Sequence, residues 1–250
     1  TMIPFAKPFF SLKSQEKILA GVAEILKSGC LINGDFSKNL EQGHRTLVQT
    51  AEAVSLNSCS TALQICLQYV GISNCEVLVP SGAFVADLNV VFQAGGLPVL
   101  VDMNPETLSF NINDLKNKLT KKTKAIIWVH LTGSISSEYE EIISFAKENN
   151  LFLIEDCAHA HGAKIDGRNA GSLGDAGCFS FYPTKILTSG AGGVLTTNKK
   201  ALANYARTVR FYGRNEVDNE VTEVGNNWYM DEVRACLAFY QLEDLVEHLT

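Results

Sequence analysis

An apolar run, Leu151-Phe152-Leu153-Ile154, ends in Glu155-Asp156 and so sets carboxylates where a strand gives way to a loop. Cys157-Ala158-His159-Ala160-His161-Gly162 follows directly. After a Gly-rich connection a second run, Cys178-Phe179-Ser180-Phe181-Tyr182, leads into Pro183-Thr184-Lys185 and then Ser189-Gly190-Ala191-Gly192-Gly193. Far upstream, the turn Ser58-Cys59-Ser60-Thr61 precedes an apolar helical stretch. An acid at one strand end, an amine just past another and hydroxyls at a helix start can converge on one pocket. Ligands of parallel sheets gather at the carboxyl ends of strands and at helix N-termini.

The chemistry open to such a set is specific. A lysine that condenses with an aldehyde and later moves protons must give up its charge, which burial or cationic neighbours promote. A carboxylate facing a pyridine nitrogen keeps that nitrogen protonated and the ring an electron sink. Hydroxyls and backbone N–H groups at a helix start hold a phosphate. Lys185, Asp156, Ser180 and the Ser58–Thr61 turn supply one of each, the set that pyridoxal 5'-phosphate (PLP) requires. Two other readings stay open. In an extended segment Cys157, His159 and His161 share one face, and with Asp156 they form the ligand set of a metal-dependent hydrolase, which leaves Lys185 unused. In the other reading the cofactor site is kept without turnover, in a non-catalytic, truncated or regulatory relative. His44, His130 and His248 have no sufficient partner set and read as structural or exposed.

Positioning these residues takes alternating elements. Apolar runs at Ala53–Leu56, Glu76–Val79, Pro98–Asp102, Lys124–His130, Leu151–Glu155, Gly177–Tyr182 and Gly192–Thr196 read as strands covered on both faces. Helical patterns lie at Ser14–Lys27, Phe36–Gln49, Thr61–Val70, Val85–Ala94, Ile112–Leu119, Ser137–Glu148 and Lys199–Phe211. The alternation predicts an α/β fold, three layers αβα, with a mostly parallel central sheet of about seven strands. The stretch Met230–Leu249 reads as one long helix after a large domain over 1–230. It is expected to lead to a smaller C-terminal domain beyond residue 250.

Composition narrows the setting. Hydrophobic residues make up 46% and charged residues 19%, which describes a chain with a sizeable core. Lys and Arg number 21 against 27 Asp and Glu, a net charge of −6 that disfavours nucleic acid and anionic membrane as partners. The cysteines number seven with no C-x-x-C spacing, which fits reduced thiols in the cytoplasm. Thr1-Met2-Ile3-Pro4 opens no leader pattern, and the longest apolar runs fall far short of the ~20 residues a membrane span needs.

Gly171-Ser172-Leu173-Gly174-Asp175-Ala176 followed by Phe179 to Lys185 resembles the signature of the DegT/StrS family of PLP-dependent sugar aminotransferases. The likeness extends to Gly34 with Phe36–Glu41, to 79–86, Val99–Asp102, His130–Gly133 and Gly225–Met230, in the family's order. The resemblance implies the large domain of a PLP-dependent transferase. It implies Lys185 as the Schiff-base lysine, Asp156 as partner of the ring nitrogen, and His159 beside the cofactor's phenolic oxygen. It further implies Ser180, Cys59 and Ser60 at the phosphate, and Phe84 stacked on the ring. Asn227 is implied to reach the phosphate of a neighbouring subunit, hence a homodimer with shared sites. Glutamate as amino donor and a nucleotide-linked keto-sugar as acceptor are implied as well. Cys59 stands where the family places Gly, Tyr229 where it places Arg and Ala191 where it places an acid.

Overall fold

Each central strand carries apolar residues at successive positions because helices cover both faces of the sheet. The computed structural model describes residues 6–215 and 217–249, save the side chain of His248. The opening Thr1-Met2-Ile3-Pro4 and the His248 side chain therefore lie outside the described residues. The sheet strands are β1 (Glu52–Leu56), β2 (Glu76–Pro80), β3 (Leu97–Val101), β4 (Thr123–Val129), β5 (Phe152–Asp156), β6 (Ala176–Ser180) and β7 (Gly193–Thr197). Their spatial order is β1-β7-β6-β5-β4-β2-β3. All neighbours from β6 to β3 pair in parallel, and β7 runs antiparallel between β6 and β1. The expected seven-stranded, mostly parallel sheet is present.

The helices are α1 (Leu12–Ser28), α2 (Asp35–Val48), α3 (Cys59–Val70), α4 (Val85–Gln93), α5 (Ile112–Asn117), α6 (Tyr139–Glu148), α7 (Lys200–Arg210) and α8 (Glu232–Leu249). Alternate strand residues enter two cores. Leu78, Ile126, Trp128, Leu153 and Phe179 pack with α2, α5, α6 and α8 on one face. Val77, Val79, Ile127, Ile154 and Cys178 pack with α3, α4 and α7 on the other. This is the period-two alternation of a strand, with both phases apolar. Helix α1 lies against α8, where Lys13 and Lys17 pair with Glu247 and Glu243 at 2.8 and 2.7 Å.

Two boundaries differ from expectation in ways that matter for the site. Strand β6 stops at Ser180, two residues before the expected end at Tyr182. The chain folds back there: the Thr188 hydroxyl and the Ser189 amide both donate to the Phe181 carbonyl, at 2.8 and 3.2 Å. Lys185 rides on that folded loop. Helix α3 begins at Cys59, with Ser58 as its cap accepting from the Thr61 amide at 3.1 Å. Ser60 is thus inside the first turn and does not cap the helix.

The frame is closed by one carboxylate. Glu232, at the first residue of α8 and buried, accepts the amides of Gly34, Phe36 and Ser37 at 3.0, 2.8 and 3.0 Å, and the Ser37 hydroxyl as well. It satisfies the N-terminal donors of α2 from another element. A Cβ on Gly34 would lie 2.6 Å from Glu232 Oε2, so glycine is what permits the approach. Glu232→Ala strands these donors and is expected to cost roughly 2–3 kcal/mol. Urea unfolding measures this, and an unmoved midpoint would show that the cap contributes nothing.

Candidate active site

The carboxyl ends of β5 and β6, the start of α3 and the start of α4 surround a cavity of about 510 Å³. Asp156 is the last residue of β5, and Ser180 the last of β6. Cys59 and Ser60 open α3, Phe84 precedes α4, and His159 and Lys185 sit on the loops after β5 and β6. All seven line the cavity. Asn227 does not: it is exposed, bridges to Phe211, and its carbonyl accepts from the Asn57 amide group at 3.3 Å.

Burial lowers the pKa of Lys185 from its ordinary value, while Asp156, Cys59 and Asp87 pull it upward. The amine is thereby brought nearer the neutral, nucleophilic form. Asp156 accepts the Ala158 amide at 2.8 Å, and the Cys59 thiol donates to its Oδ1 at 3.8 Å. Burial first, then the charge of Asp156, pushes the Cys59 thiol well above the usual thiol range. Cys59 therefore stays a thiol, with its sulfur turned to the acid. His159 is exposed, and its pKa is lowered first by desolvation and then by Lys185.

The site fits PLP on its own features. With Ser58 taking the Thr61 amide, the amides of Cys59 and Ser60 remain first-turn donors without intrahelical acceptors. A Cβ on Gly193 would fall 2.5 Å from the Cys59 nitrogen, so only glycine lets β7 lie this close to the helix start. Ser180 adds a hydroxyl on the same cavity wall, and the exposed Phe84 ring lines its mouth. An amine, an acid and a set of amide and hydroxyl donors thus share one cavity.

The metal reading fails on donor geometry. A carbonyl only accepts, so His161 donates its Nε2–H to the Ser180 carbonyl at 2.9 Å, packed beside Phe179 and Phe181. Desolvation lowers its pKa to about 4. Cys157 is wholly buried and His159 exposed, so the expected face does not form. Among the described residues the donors within 4.8 Å of one another are instead His130, Glu155 and Cys157. Both Glu155 oxygens are already engaged. Oε1 accepts the amides of Leu173 and Gly174 at 2.7 Å each, and Oε2 accepts that of Gly171 and meets His130 Nε2, both at 2.8 Å.

Two residues of this region escape sequence reasoning. His130, read above as lacking partners, is paired with Glu155 and lines the cavity. The signal lies in its position just past β4, beside the acid-bearing end of β5. Asp87 also lines the cavity, almost completely buried. Its only signal is an acid within the apolar run Val85–Phe92.

The DegT/DnrJ/EryC1/StrS aminotransferase family model matches residues 13–250. The GDP-perosamine synthase of Escherichia coli O157:H7 is 36% identical over 247 residues, covering 96% of this chain and 66% of that protein. The dTDP-3-amino-3,4,6-trideoxy-alpha-D-glucose transaminase of Micromonospora megalomicea subsp. nigra is 35% identical over 225 residues, covering 89% of this chain and 60% of the enzyme. The chain thus spans just under two thirds of the length of these relatives. The PLP form of Spr1654 from Streptococcus pneumoniae superposes with a TM-score of 0.88 at 26% identity, covering 98% of this chain and 67% of that one. With a family model matched from near its start to its last residue and the fold of its relatives, this chain belongs to the DegT/DnrJ/EryC1/StrS aminotransferase family.

Proposed function

We propose that the chain binds PLP and carries the catalytic centre of an aminotransferase that moves an amino group from glutamate to a nucleotide-linked keto-sugar. The observation that carries this reading is the meeting of Lys185 and Asp156 in one cavity, beside the open N-terminus of α3. Nucleotide-linked sugars in the names of two relatives support the acceptor class.

When bound, PLP supplies an aldehyde for the lysine and a ring that withdraws electrons from the bond to be broken. Lys185, partly desolvated, is the amine for that aldehyde and the base that moves the substrate's α-proton. Asp156 would hold the ring nitrogen and keep its proton in place. The Cys59 and Ser60 amides, with the Ser60 and Ser180 hydroxyls, hold the phosphate. Phe84 would cover the ring and His159 would hold its phenolic oxygen. Asn227, exposed on the chain's surface, would reach the phosphate of a second copy, which makes the proposed working unit a homodimer; its proposed setting is the cytoplasm.

Borohydride reduction of the PLP-loaded protein followed by peptide mass mapping tests the reading. A pyridoxyl mass on Lys185 is the expected result. Added glutamate should then remove the visible absorbance of unreduced protein, and a nucleotide-linked keto-sugar should restore it. An adduct confined to another lysine would overturn the assignment.

A further inference from the structure

Asp87 sits in the first turn of α4 with its carboxyl inside the cavity, 1% exposed. Neither of its oxygens has a hydrogen-bond partner of ordinary geometry. A buried carboxylate that accepts nothing is costly, which calls for a reason. The polar side chain it faces is Asp156, the acid assigned above to the ring nitrogen. Two ionised carboxylates in one desolvated corner repel strongly, whereas a carboxyl and a carboxylate attract through the shared proton.

The two members are not equivalent. Asp156 has the Ala158 amide and the Cys59 thiol to hold its charge. Asp87 has no donor in ordinary hydrogen-bond geometry, and the nearby backbone amides of Asp87 and Phe84 favour its charge less than burial and Asp156 oppose it. We infer that Asp87 keeps a proton and donates it to Asp156, acting as a positioning residue that orients this acid and weakens its pull on the ring nitrogen. The inference deepens the PLP reading and rests on it for that last consequence. Burial first, and then Asp156, pushes the Asp87 carboxyl well above the usual range, in the same sense. Other groups are near. Cys59 from α3, being a thiol, adds no charge, and His130 and His159 line the same cavity. Lys185 and the N-terminus of α4 favour an ionised Asp87, and the inferred proton is held against both.

Two measurements on cofactor-free protein test the shared proton. Infrared difference spectra between the wild type and Asp87→Asn at pH 7 should show loss of one protonated-acid carbonyl band. Second, stability should diverge with pH. An acid whose folded pKa is raised contributes stability that is fully present below its unfolded value, about 3.9 for Asp, and lost as pH rises through the folded value. Asp87→Asn removes that loss, so the ratio of its unfolding constant to the wild type's should fall by up to about tenfold per pH unit above pH 4. No lost band, or a ratio independent of pH, overturns the inference. Asp87→Ser serves the same comparison should the Asn variant not fold.

A third measurement uses the PLP-loaded protein. Asp87→Val takes the donor away and should move the pH midpoint of the visible absorbance by about one pH unit. Asp87→Asn keeps a donor and should leave it in place. Equal behaviour of the two variants overturns the tuning role. An absent adduct at Lys185 defeats the PLP reading while leaving the two cofactor-free results intact, so the two failures are distinguishable.

Discussion

Lys185→Ala is expected to lose the borohydride-trapped pyridoxyl adduct completely and to lower turnover by roughly 10⁴-fold or more, since the proposed function makes one side chain both the attachment point and the proton carrier. The geometry separates this from a folding defect. Lys185 is partly buried, burial lowers its pKa, and no side-chain ion pair holds its ammonium among the contacts of the described residues. A lysine whose folded pKa is depressed opposes folding at pH values below its unfolded pKa, because the folded chain accepts that proton less readily. Removing it should leave the thermal midpoint at neutral pH unchanged or slightly raised. Lys185→Arg completes the test. It keeps a positive charge in the cavity but cannot form the imine, so it should be as inactive as the alanine variant. Appreciable turnover by either variant, measured as 2-oxoglutarate released from glutamate, would falsify the assignment of Lys185.

Much of this arrangement is visible in the sequence, and the visible and invisible parts divide on physical grounds. The central strands announce themselves because both faces of the sheet are covered, so that Ala125 to Val129 and Leu153 to Ile154 read as unbroken apolar runs. Asp156 and Lys185 are legible because an acid closing one such run and an amine just past another fall at the end of a parallel sheet where ligands bind. The antiparallel direction of β7 is not legible, since it depends on how the folded-back loop after Ser180 returns to the sheet. Nor are the hairpins at Met103–Asn104 with Ser109–Phe110 and Lys164–Ile165 with Arg168–Asn169, whose two-residue strands carry no periodicity. His130 and Asp87 illustrate the deeper limit. A histidine after a strand and an acid in a first helical turn have ordinary local explanations. Only the lateral register of β4 on β5, and the packing of α4 against α3, β2 and β3, brings each to its carboxylate partner.

Glu155→Ala is the substitution expected to damage the fold most. The side chain is fully buried beside Asp156, and it accepts three amides from the Gly171–Gly174 loop while meeting His130 Nε2. Truncation leaves those amides and a buried imidazole nitrogen without an acceptor in a place water does not reach. Breaking a buried pair of this kind costs roughly 3–5 kcal/mol, a large fraction of a domain's net stability. Glu155→Gln keeps one acceptor oxygen but points an N–H₂ group at donors that need lone pairs, so it should recover only part of the loss. The effect should also spread to the cofactor site. Cys157 donates its amide to the Cys178 carbonyl at 2.8 Å and Asp175 donates its amide to the Leu153 carbonyl at 2.8 Å, so the loop and the ends of β5 and β6 are tied to one another. A loop released at Gly171–Gly174 loosens the strand end on which Asp156 stands. The expected result is a lower denaturant midpoint together with weaker PLP retention, in the order wild type, Gln, Ala. If the midpoint falls while PLP retention holds, Glu155 supports the sheet alone and Asp156 is positioned from the other side, by Ala158 and Asp87.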